Sequence, residues 1–266
     1  MSALMPKSVS ITPGVWQLDD STGATYYIIE GTDRALVIDT GMDACDIGAV
    51  IASFTALPYE LALTHGHGDH SMHCPKFGKV YLDIADKPFL FGSRFDGQEV
   101  PDENALVHIS DGYTFDLGGV TVETISLPGH TPGSVLFADR VHKCVFTGDA
   151  FGSGCGVWMQ VPMASDLSDY AAALAKAENR LREIGVDDTW EFCGGHASQK
   201  YTSTVAPYNP PRLEMMADMR ALCEKLISGE IVGTGEGLEG LSHRFGTSLK
   251  AAYGSAEMIY RPEQLK

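Results

Sequence analysis

The sequence predicts an α/β fold, a four-layer α+β arrangement in which two β-sheets pack face to face and helices cover both outer surfaces. Two observations favour it: the chain divides into halves rich in short β-branched or aromatic segments, and each half ends in a helix. The composition agrees, because 44% hydrophobic and 20% charged residues are ordinary for a globular chain of 266 residues. Hydrophobic periodicity by itself admits this topology among others.

Strands are predicted where short apolar segments lie between Gly, Asp, Pro and Thr residues. These segments are 14–18, 25–31, 35–41, 59–66, 79–83, 112–119, 120–129, 134–140, 143–150 and 189–196. A hairpin is predicted over 250–262, and the polar residues 93–105 predict a surface loop.

Four helices are predicted between and after these strands. They are 43–54, 84–92, 165–185 and 211–229. The third has Ser or Asp at its start and Gly185 at its end, and the fourth begins at a proline, which fits the first turn of a helix. We therefore expect one main domain over 1–202 and a C-terminal extension over 203–266 that packs on it and can cap a site.

The charge of the chain disfavours two classes of partner. There are 19 basic and 35 acidic residues, a formal net charge of −16, so nucleic acid and anionic membrane surfaces are unfavourable partners. No apolar run reaches the length of about 18 residues that a membrane span needs. The first residues also lack the apolar core of a secretion signal, which predicts a cytoplasmic protein. The six cysteines form no CxxC pair and are expected to be reduced and mostly buried.

The strongest chemical signal is the stretch LTHGHGDHSMHC at positions 63–74. Within nine positions it holds four histidines and one aspartate: His65, His67, Asp69, His70 and His73. Imidazole and carboxylate groups are ligands for zinc, iron and manganese. The first two histidines can project to the same side of an extended turn, while Asp69 and His70 face a second point nearby. One loop can therefore supply two adjacent metal positions, and the interleaved glycines allow its tight path.

Three further ligand-type residues occur in the same local context. His130, Asp149 and His196 each follow a predicted strand and stand in a turn bounded by glycine. A pair of metals needs more ligands than one loop provides, so this recurrence indicates that several loops meet at one centre.

These motifs, in the order H-x-H-x-D-H, G-H-T-P-G, T-G-D and G-G-H, resemble the metallo-β-lactamase-fold hydrolase superfamily. The resemblance covers about residues 10–200 and includes LVIDTG, whose Asp39 matches an early aspartate of the family. It implies the αββα sandwich, with the site at one edge between the sheets. It assigns His65, His67 and His130 to a first metal. It assigns Asp69, His70 and His196 to a second, with Asp149 as a bridge.

The resemblance also implies a reaction. Members with a bridging aspartate include glyoxalase II-like hydrolases, so we expect two divalent metal ions, zinc or alternatively iron or manganese, with a small-molecule substrate. A hydroxide between the metals would attack a small ester, thioester, lactone or phosphodiester. Asp69 and Asp149 are the predicted catalytic carboxylates, and Asp39 is expected to fix the ligand loop without touching metal.

Two alternatives to the hydrolase hypothesis remain. One is a mononuclear iron dioxygenase that oxidises persulfides, and the other is a non-catalytic member that binds a metal or ligand. The segment after His196 lacks the acidic and tyrosine residues usual in glyoxalase II, which argues against glutathione thioesters. His73 is expected to be a bystander. Four residues are predicted to line a substrate pocket, with packing as their alternative role: Phe151, Trp158, Met159 and Tyr201.

Overall fold

Fifteen strands and six α-helices make up the part of the chain that the structure describes. The computed structural model describes residues 5–92, 99–152, 156–197 and 211–266. The strands are β1 Lys7–Thr12, β2 Val15–Asp19, β3 Thr25–Glu30, β4 Ala35–Ile38, β5 Tyr59–Ala62, β6 Val80–Leu82, β7 Leu106–His108, β8 Thr114–Asp116, β9 Thr121–Ser126, β10 Val135–Asp139, β11 Cys144–Gly148, β12 Val157–Trp158, β13 Glu191–Gly194, β14 Leu249–Tyr253 and β15 Ala256–Tyr260. The helices are α1 Ile47–Ala52, α2 Gly68–Ser71, α3 Lys87–Phe91, α4 Leu167–Glu183, α5 Leu213–Ile227 and α6 Glu239–Phe245.

The first sheet contains seven strands in the order β1 to β7. Strands β1 to β4 are antiparallel, and β4 to β7 are parallel. Parallel strands place their carboxyl ends at one edge of a sheet, which is where α/β proteins build their sites. Asp39 follows β4, His65 follows β5, and Asp86 follows β6, so all three residues lie at that edge.

The second sheet has the order β13-β11-β10-β9-β8. Strand β10 runs antiparallel to both of its neighbours, and β11 is parallel to β13, so β9, β11 and β13 share one direction. Their carboxyl ends lead into His130, Asp149 and His196, respectively. An isolated bridge between Ala24 and His196 joins the two sheets at this edge.

Alternation along the strands divides the interior into three layers of apolar side chains. Tyr27 and Ile29 point into the core between the sheets, where they meet side chains such as Phe146. Tyr26 and Ile28 point to the opposite face and pack with residues from α1 and α3. The outer face of the second sheet packs with α4, α5 and the third sheet. The αββα fold predicted from the sequence is confirmed.

The third sheet consists of β12, β15 and β14, in that order. Strands β14 and β15 form the hairpin predicted over 250–262, and β12 pairs in parallel with β15. The side chains of α5 that point inward include Met215, Met216 and Met219, and they belong to the same buried cluster as Leu174 of α4. Helix α5 and the hairpin therefore share a buried cluster with α4, while the boundary expected between 202 and 203 lies outside the described residues.

Five elements were not predicted from the sequence: β1, β7, β12, α2 and α6. Strand β1 is an edge strand with four exposed residues out of six, so it lacks an apolar alternation. Strands β7 and β12 span only three and two residues. Helix α6 contains no buried residue, and an apolar stripe is the pattern by which helices are recognised.

Candidate metal centre

One turn at the edge of the first sheet presents four of the predicted ligands. His65 and His67 lie between β5 and α2, and Asp69 and His70 lie within α2. A side chain on Gly66 would place its Cβ 2.8 Å from the carbonyl oxygen of Asp86, closer than packing allows. The glycine between the first two histidines is therefore required by the close approach of the chain segments.

The donor atoms of the predicted ligands converge in three groups. Within each group they lie within 4.8 Å of one another. The groups are His65, His67 and His130; Asp69, His70 and His196; and His65, His70 and Asp149. The first two contain the triads expected for the first and second metal, and the third joins them through Asp149. The seven residues come from four different turns on both sheets, so the two sheets must be in place before the site exists.

The distances from Asp149 to three histidines are longer than ordinary hydrogen bonds. Its Oδ1 lies 3.6 Å from His70 Nε2, and its Oδ2 lies 3.7 Å from His130 Nε2 and 3.4 Å from His196 Nε2. These separations exceed the usual length of an N–H···O hydrogen bond. Two ligand atoms bound tetrahedrally to zinc at about 2.1 Å are about 3.4 Å apart. The observed spacings are close to that value.

Three buried polar atoms at the centre make no hydrogen bond within the described chain. They are Nε2 of His65, Nε2 of His70 and Oδ1 of Asp149. A buried polar atom without a partner is costly, so such atoms need an explanation. A bound cation supplies one, because all three atoms are metal-ligand types and they form one of the groups of donors. The residues present therefore fit divalent metal ions.

The second nitrogen of three histidine rings is held by the protein. His70 Nδ1 lies 3.0 Å from Asp39 Oδ2, and His130 Nδ1 lies 2.8 Å from the carbonyl oxygen of Trp158. His65 Nδ1 lies 3.1 Å from Thr64 Oγ1. These contacts orient the rings so that Nε2 points to the centre. His67 differs, because its Nδ1 lies 2.9 Å from His130 Nε2.

Asp39 lies beside the centre without joining any of the donor groups. Its backbone has a φ of 62°, a conformation uncommon outside glycine. Its Oδ1 accepts a hydrogen bond of 2.8 Å from the Thr64 amide, and its Oδ2 accepts one of 2.7 Å from Thr64 Oγ1. The carboxylate thus contacts both the turn after β5 and the ring of His70, as the resemblance implies.

The protein environment separates the histidines into two electrostatic types. Burial lowers the pKa of His65 well below its usual value, with help from neighbouring histidines, and burial also lowers the pKa of His130. Burial opposes protonation of His70 as well, but the carboxylates of Asp69, Asp149 and Asp39 raise its pKa to about 10.

Asp149 is the main counter-charge of the histidines. Burial acts to raise the pKa of its carboxyl, but His196 and His70 hold that pKa well below the usual range. Burial likewise acts to lower the pKa of His196, and Asp149 raises it. Without metal, protons on histidines balance the carboxylates, and a bound cation would replace those protons.

The remaining predicted residues occupy different places. Phe151 and Met159 have no exposed surface and pack in the buried cluster with α4 and α5, which favours packing as their role. Trp158 is half-buried, and its indole N–H has no hydrogen-bond partner within the described residues. Tyr201 lies outside the described residues. His73 Nε2 lies 2.9 Å from the carbonyl oxygen of Asp43 and joins none of the donor groups found among the described residues.

Asp86 is a residue of the site region that sequence reasoning missed. It lies at the end of the 3-10 turn Ile84–Asp86, just before α3, and it is fully buried. Its carboxylate accepts hydrogen bonds from the Gly66 amide, the Thr131 hydroxyl and the Gly133 amide. Its partners are mostly backbone groups, which leave no trace in a sequence.

Comparisons with known proteins place the chain in a family. The family model described as the metallo-beta-lactamase superfamily matches residues 20–196, which is well over half of the chain. The chain therefore belongs to the metallo-beta-lactamase superfamily. This agrees with the fold and with the position of the donor groups between the two sheets.

Two kinds of curated relative are similar in sequence. An atrochrysone carboxyl ACP thioesterase from Aspergillus novofumigatus is 32% identical over 147 residues, which are 53% of this chain and 42% of that protein. A hydroxyacylglutathione hydrolase from Francisella tularensis subsp. tularensis is 26% identical over 178 residues, which are 66% of this chain and 67% of that protein. The match thus spans less than half the length of the first thioesterase.

Solved structures share the fold at low sequence identity. A metallo-beta-lactamase with a HARLDQ motif from Cronobacter sakazakii has a TM-score of 0.61 and 20% identity, with 86% of this chain and 96% of that chain covered. A beta-lactamase domain protein from Burkholderia ambifaria has a TM-score of 0.60 and 15% identity, with 85% and 76% covered. Within the described residues, no helix is both long and apolar enough to cross a membrane.

Proposed function

We propose that the protein is a metal-dependent hydrolase with two adjacent metal positions that cleaves thioesters of small organic acids. The observation that carries the proposal is the convergence of seven ligand-type side chains into linked donor groups with unpartnered buried nitrogens and oxygen at their centre. In this proposal His65, His67 and His130 hold the first metal. Asp69, His70 and His196 hold the second, and Asp149 bridges them.

The relatives support the thioester class over the other classes expected from the sequence. The thioesterase from A. novofumigatus and the hydrolase from F. tularensis are both named for thioester chemistry, although their names indicate different thiols. A thioester carbonyl with a thiolate leaving group suits a centre that supplies cations to polarise an oxygen. The net charge of −16 also disfavours a polyanionic phosphodiester such as nucleic acid.

Two divalent cations bound here would lower the pKa of water towards neutrality and polarise the substrate carbonyl. The residues of the chain would orient the thioester and exclude bulk water. His65 and His70 are 1% and 0% exposed, which keeps bulk water from their side of the centre. The side chains of Asp69 and His196 are 29% and 19% exposed, so the open side of the centre lies there. We expect the thioester to approach from that side.

Asp69 is the proposed proton carrier. Its carboxylate is the more exposed of the two at the centre, and its Oδ2 lies 3.5 Å from His196 Nε2 and 3.6 Å from His70 Nε2. It can accept the proton of the attacking water as the new C–O bond forms. It can then return that proton to the sulfur as the C–S bond breaks. Trp158, which is half-buried beside His130, is the proposed contact for the acyl group.

The test measures thiol release and metal content on the same preparation. Protein purified without added metal is analysed for its elements and then assayed with pantetheine thioesters, glutathione thioesters and matched oxygen esters. Thiol release accompanied by about two metal equivalents supports the proposal, and the preferred thiol identifies the leaving group. A variant with His108→Ala serves as the control, because this exposed histidine on β7 belongs to none of the donor groups.

Two results would overturn the proposal. A protein that contains one iron and consumes oxygen with glutathione persulfide would be the dioxygenase alternative. A protein with full metal content and no turnover of any ester or thioester would be the non-catalytic alternative.

A further inference from the structure

Asp86 contacts two ligand loops at once. Its Oδ2 accepts a hydrogen bond of 2.8 Å from the Gly66 amide and one of 2.6 Å from Thr131 Oγ1. Its Oδ1 accepts one of 2.6 Å from the Gly133 amide. Gly66 lies between His65 and His67, and Thr131 directly follows His130. All three members of the first donor group are therefore adjacent in sequence to a partner of this one carboxylate.

Both loops pack closely against Asp86. A Cβ on Gly66 would lie 2.8 Å from the Asp86 carbonyl oxygen, and one on Gly133 would lie 2.8 Å from the Asp86 carboxyl carbon. Three residues further along, the ring of Phe89 lies 4.8 Å from the ring of His67, edge to face. The segment from 86 to 89 thus contacts both the backbone and a ring of the first donor group.

Asp39 has a parallel position toward the second donor group. It contacts His70 Nδ1 at 3.0 Å and the Thr64 amide at 2.8 Å, and it has no hydrogen bond to the loop of His130. Each buried carboxylate follows a strand that pairs in parallel with β5, Asp39 after β4 and Asp86 in the turn after β6. The two differ in what they contact: Asp39 contacts a ligand ring, whereas Asp86 contacts residues that lie beside the ligands in sequence.

We propose that Asp86 is the positioning residue of the first metal position, acting through the backbone on both sides of the centre. Its removal would let the turn of His65 and His67 separate from the loop of His130, which would lower metal affinity at the first position more than at the second. The inference rests on the proposed ligand assignment and not on the thioester substrate. It would stand if the protein bound metal without cleaving thioesters.

The experiment measures zinc affinity in proteins that keep one position each. His196→Ala disables the second position, and His67→Ala disables the first. Asp86→Asn is added to each, and zinc affinity is measured by competition with a chromophoric chelator. Changes in residues that support ligands typically cost about tenfold to hundredfold in metal affinity. We expect a loss of that size from Asp86→Asn in the His196→Ala protein and less than about threefold in the His67→Ala protein.

Two controls separate positioning from general damage. Asp83→Asn changes an aspartate of the same 3-10 turn whose side chain accepts from the Ala85 amide and touches neither ligand loop, so it should leave both affinities unchanged. Thr131→Val removes one partner of Asp86 while the carboxylate stays, and it should weaken the first position selectively. If Asp86→Asn does not fold, Thr131→Val tests whether Asp86 positions the first metal position. Equal losses at both positions, or no loss at either, would overturn the proposal.

Discussion

Asp149 is the side chain that links the two histidine groups, since its oxygens lie within 3.4 to 3.7 Å of nitrogens from His70, His130 and His196. Asp149→Ala should lower both bound metal and turnover, because it removes the shared carboxylate and leaves buried histidines facing one another. Elemental analysis of metal per chain is the measurement, with His108→Ala as the unchanged reference. Equal metal content in the wild type and in Asp149→Ala would exclude a bridging role.

Gly195, which precedes His196, lies in close contact with two other candidate ligands. A Cβ at this position would lie 2.3 Å from Asp149 Oδ1 and 2.9 Å from a ring carbon of His70. Gly195→Ala should therefore displace Asp149 or His196 and lower metal content, even though no ligand is changed. Gly240→Ala is the matched control, because its Cβ would meet nothing within 4 Å. If the Gly195→Ala protein keeps its full metal content, the loop has more freedom than this packing indicates.

His70, one of two histidines at the centre with a raised pKa, should make metal binding pH-dependent. Asp69, Asp149 and Asp39 overcome burial and raise the pKa of His70 to about 10, so the metal-free protein keeps this ring protonated at neutral pH. The stabilisation from that charge is complete below the usual pKa of about 6.5 and is lost as the pH rises through about 10. A metal at the second position must displace the proton.

Titration calorimetry in buffers of different ionisation enthalpy can count the protons. At pH 7.5 we expect at least one proton released per second metal bound, from His70 with a further contribution from His196, whose pKa is also raised, and tighter binding at higher pH. Binding that releases no proton would mean that His70 is already neutral in the metal-free protein.

At the residue scale, the seven candidate ligands were predictable because they are rare residue types placed in glycine-bounded turns after strands. His130 illustrates this, since GHTPG isolates one imidazole in a rigid turn. Asp86 was not predictable, because an aspartate in DIADKPF is ordinary for the start of a short helix. Its importance comes from the amides of Gly66 and Gly133, which are distant in sequence and carry no side chain.

Strand β12, although only two residues long, connects two distant parts of the molecule. On one edge, its neighbour Met159 donates a hydrogen bond of 2.8 Å to the carbonyl of Ile259 in β15. On the other, the carbonyl of Trp158 lies 2.8 Å from His130 Nδ1. A two-residue strand thus connects the C-terminal hairpin to a candidate metal ligand.

Gln264 forms hydrogen bonds to the segment after β12. Its side-chain amide donates hydrogen bonds of 2.8 and 2.9 Å to the carbonyls of Met159 and Ser165, and it is 2% exposed. Gln264→Ala would leave these carbonyls without those donors, at a cost of about 1–3 kcal/mol in the free energy of unfolding. We also expect weaker metal binding at the first position, measured by competition with a chelator.

Glu263→Ala is the control for this change, since that side chain is 63% exposed. Lower stability with unaltered metal affinity would show that Gln264 acts on the fold alone and not through β12 on His130.

At the element scale, the sequence predicted elements that carry their own apolar periodicity. Helix α4 has seven buried positions with acidic residues near its start and two arginines in its last turn, so its limits were clear. Strand β12 has no such signal, because two residues cannot show a period. Its existence depends on Met258 and Ile259, which lie in a different part of the chain.

We expect bound metal to stabilise the whole molecule, because both sheets contribute candidate ligands to the centre. A ligand at about 1,000 times its dissociation constant adds about 4 kcal/mol to the free energy of unfolding. For a chain of this size, removal of metal by a chelator should therefore lower the melting temperature by about 10 °C. Differential scanning calorimetry before and after chelation measures this, and re-addition of zinc should restore the original value.

Chelation that left the melting temperature unchanged would mean that the sheets are held together without help from metal. The core between them, which includes Tyr27, Phe137 and Phe146, would then be sufficient by itself.

At the scale of the molecule, the two strand-rich halves of the chain predicted two packed sheets. The order of the strands within each sheet could not be predicted. Order is set by contacts such as that between β11 and β13, which are separated in sequence by α4. The third sheet was invisible for the same reason, since β12 and β15 belong to different regions. Only its hairpin, whose strands are joined by a short turn, had a local signal.

The pairing of β12 with β15 also sets an order of events during translation. The ribosome makes Trp158 long before Ile259, so the carbonyl that meets His130 has no strand to hold it while the intervening chain is being made. His65, His67 and His130 are already synthesised at that stage. Under the proposed ligand assignment, the nascent chain would therefore hold all three ligands of the first metal position while one of them is still unsupported, and that position would be complete only after β15 leaves the exit tunnel.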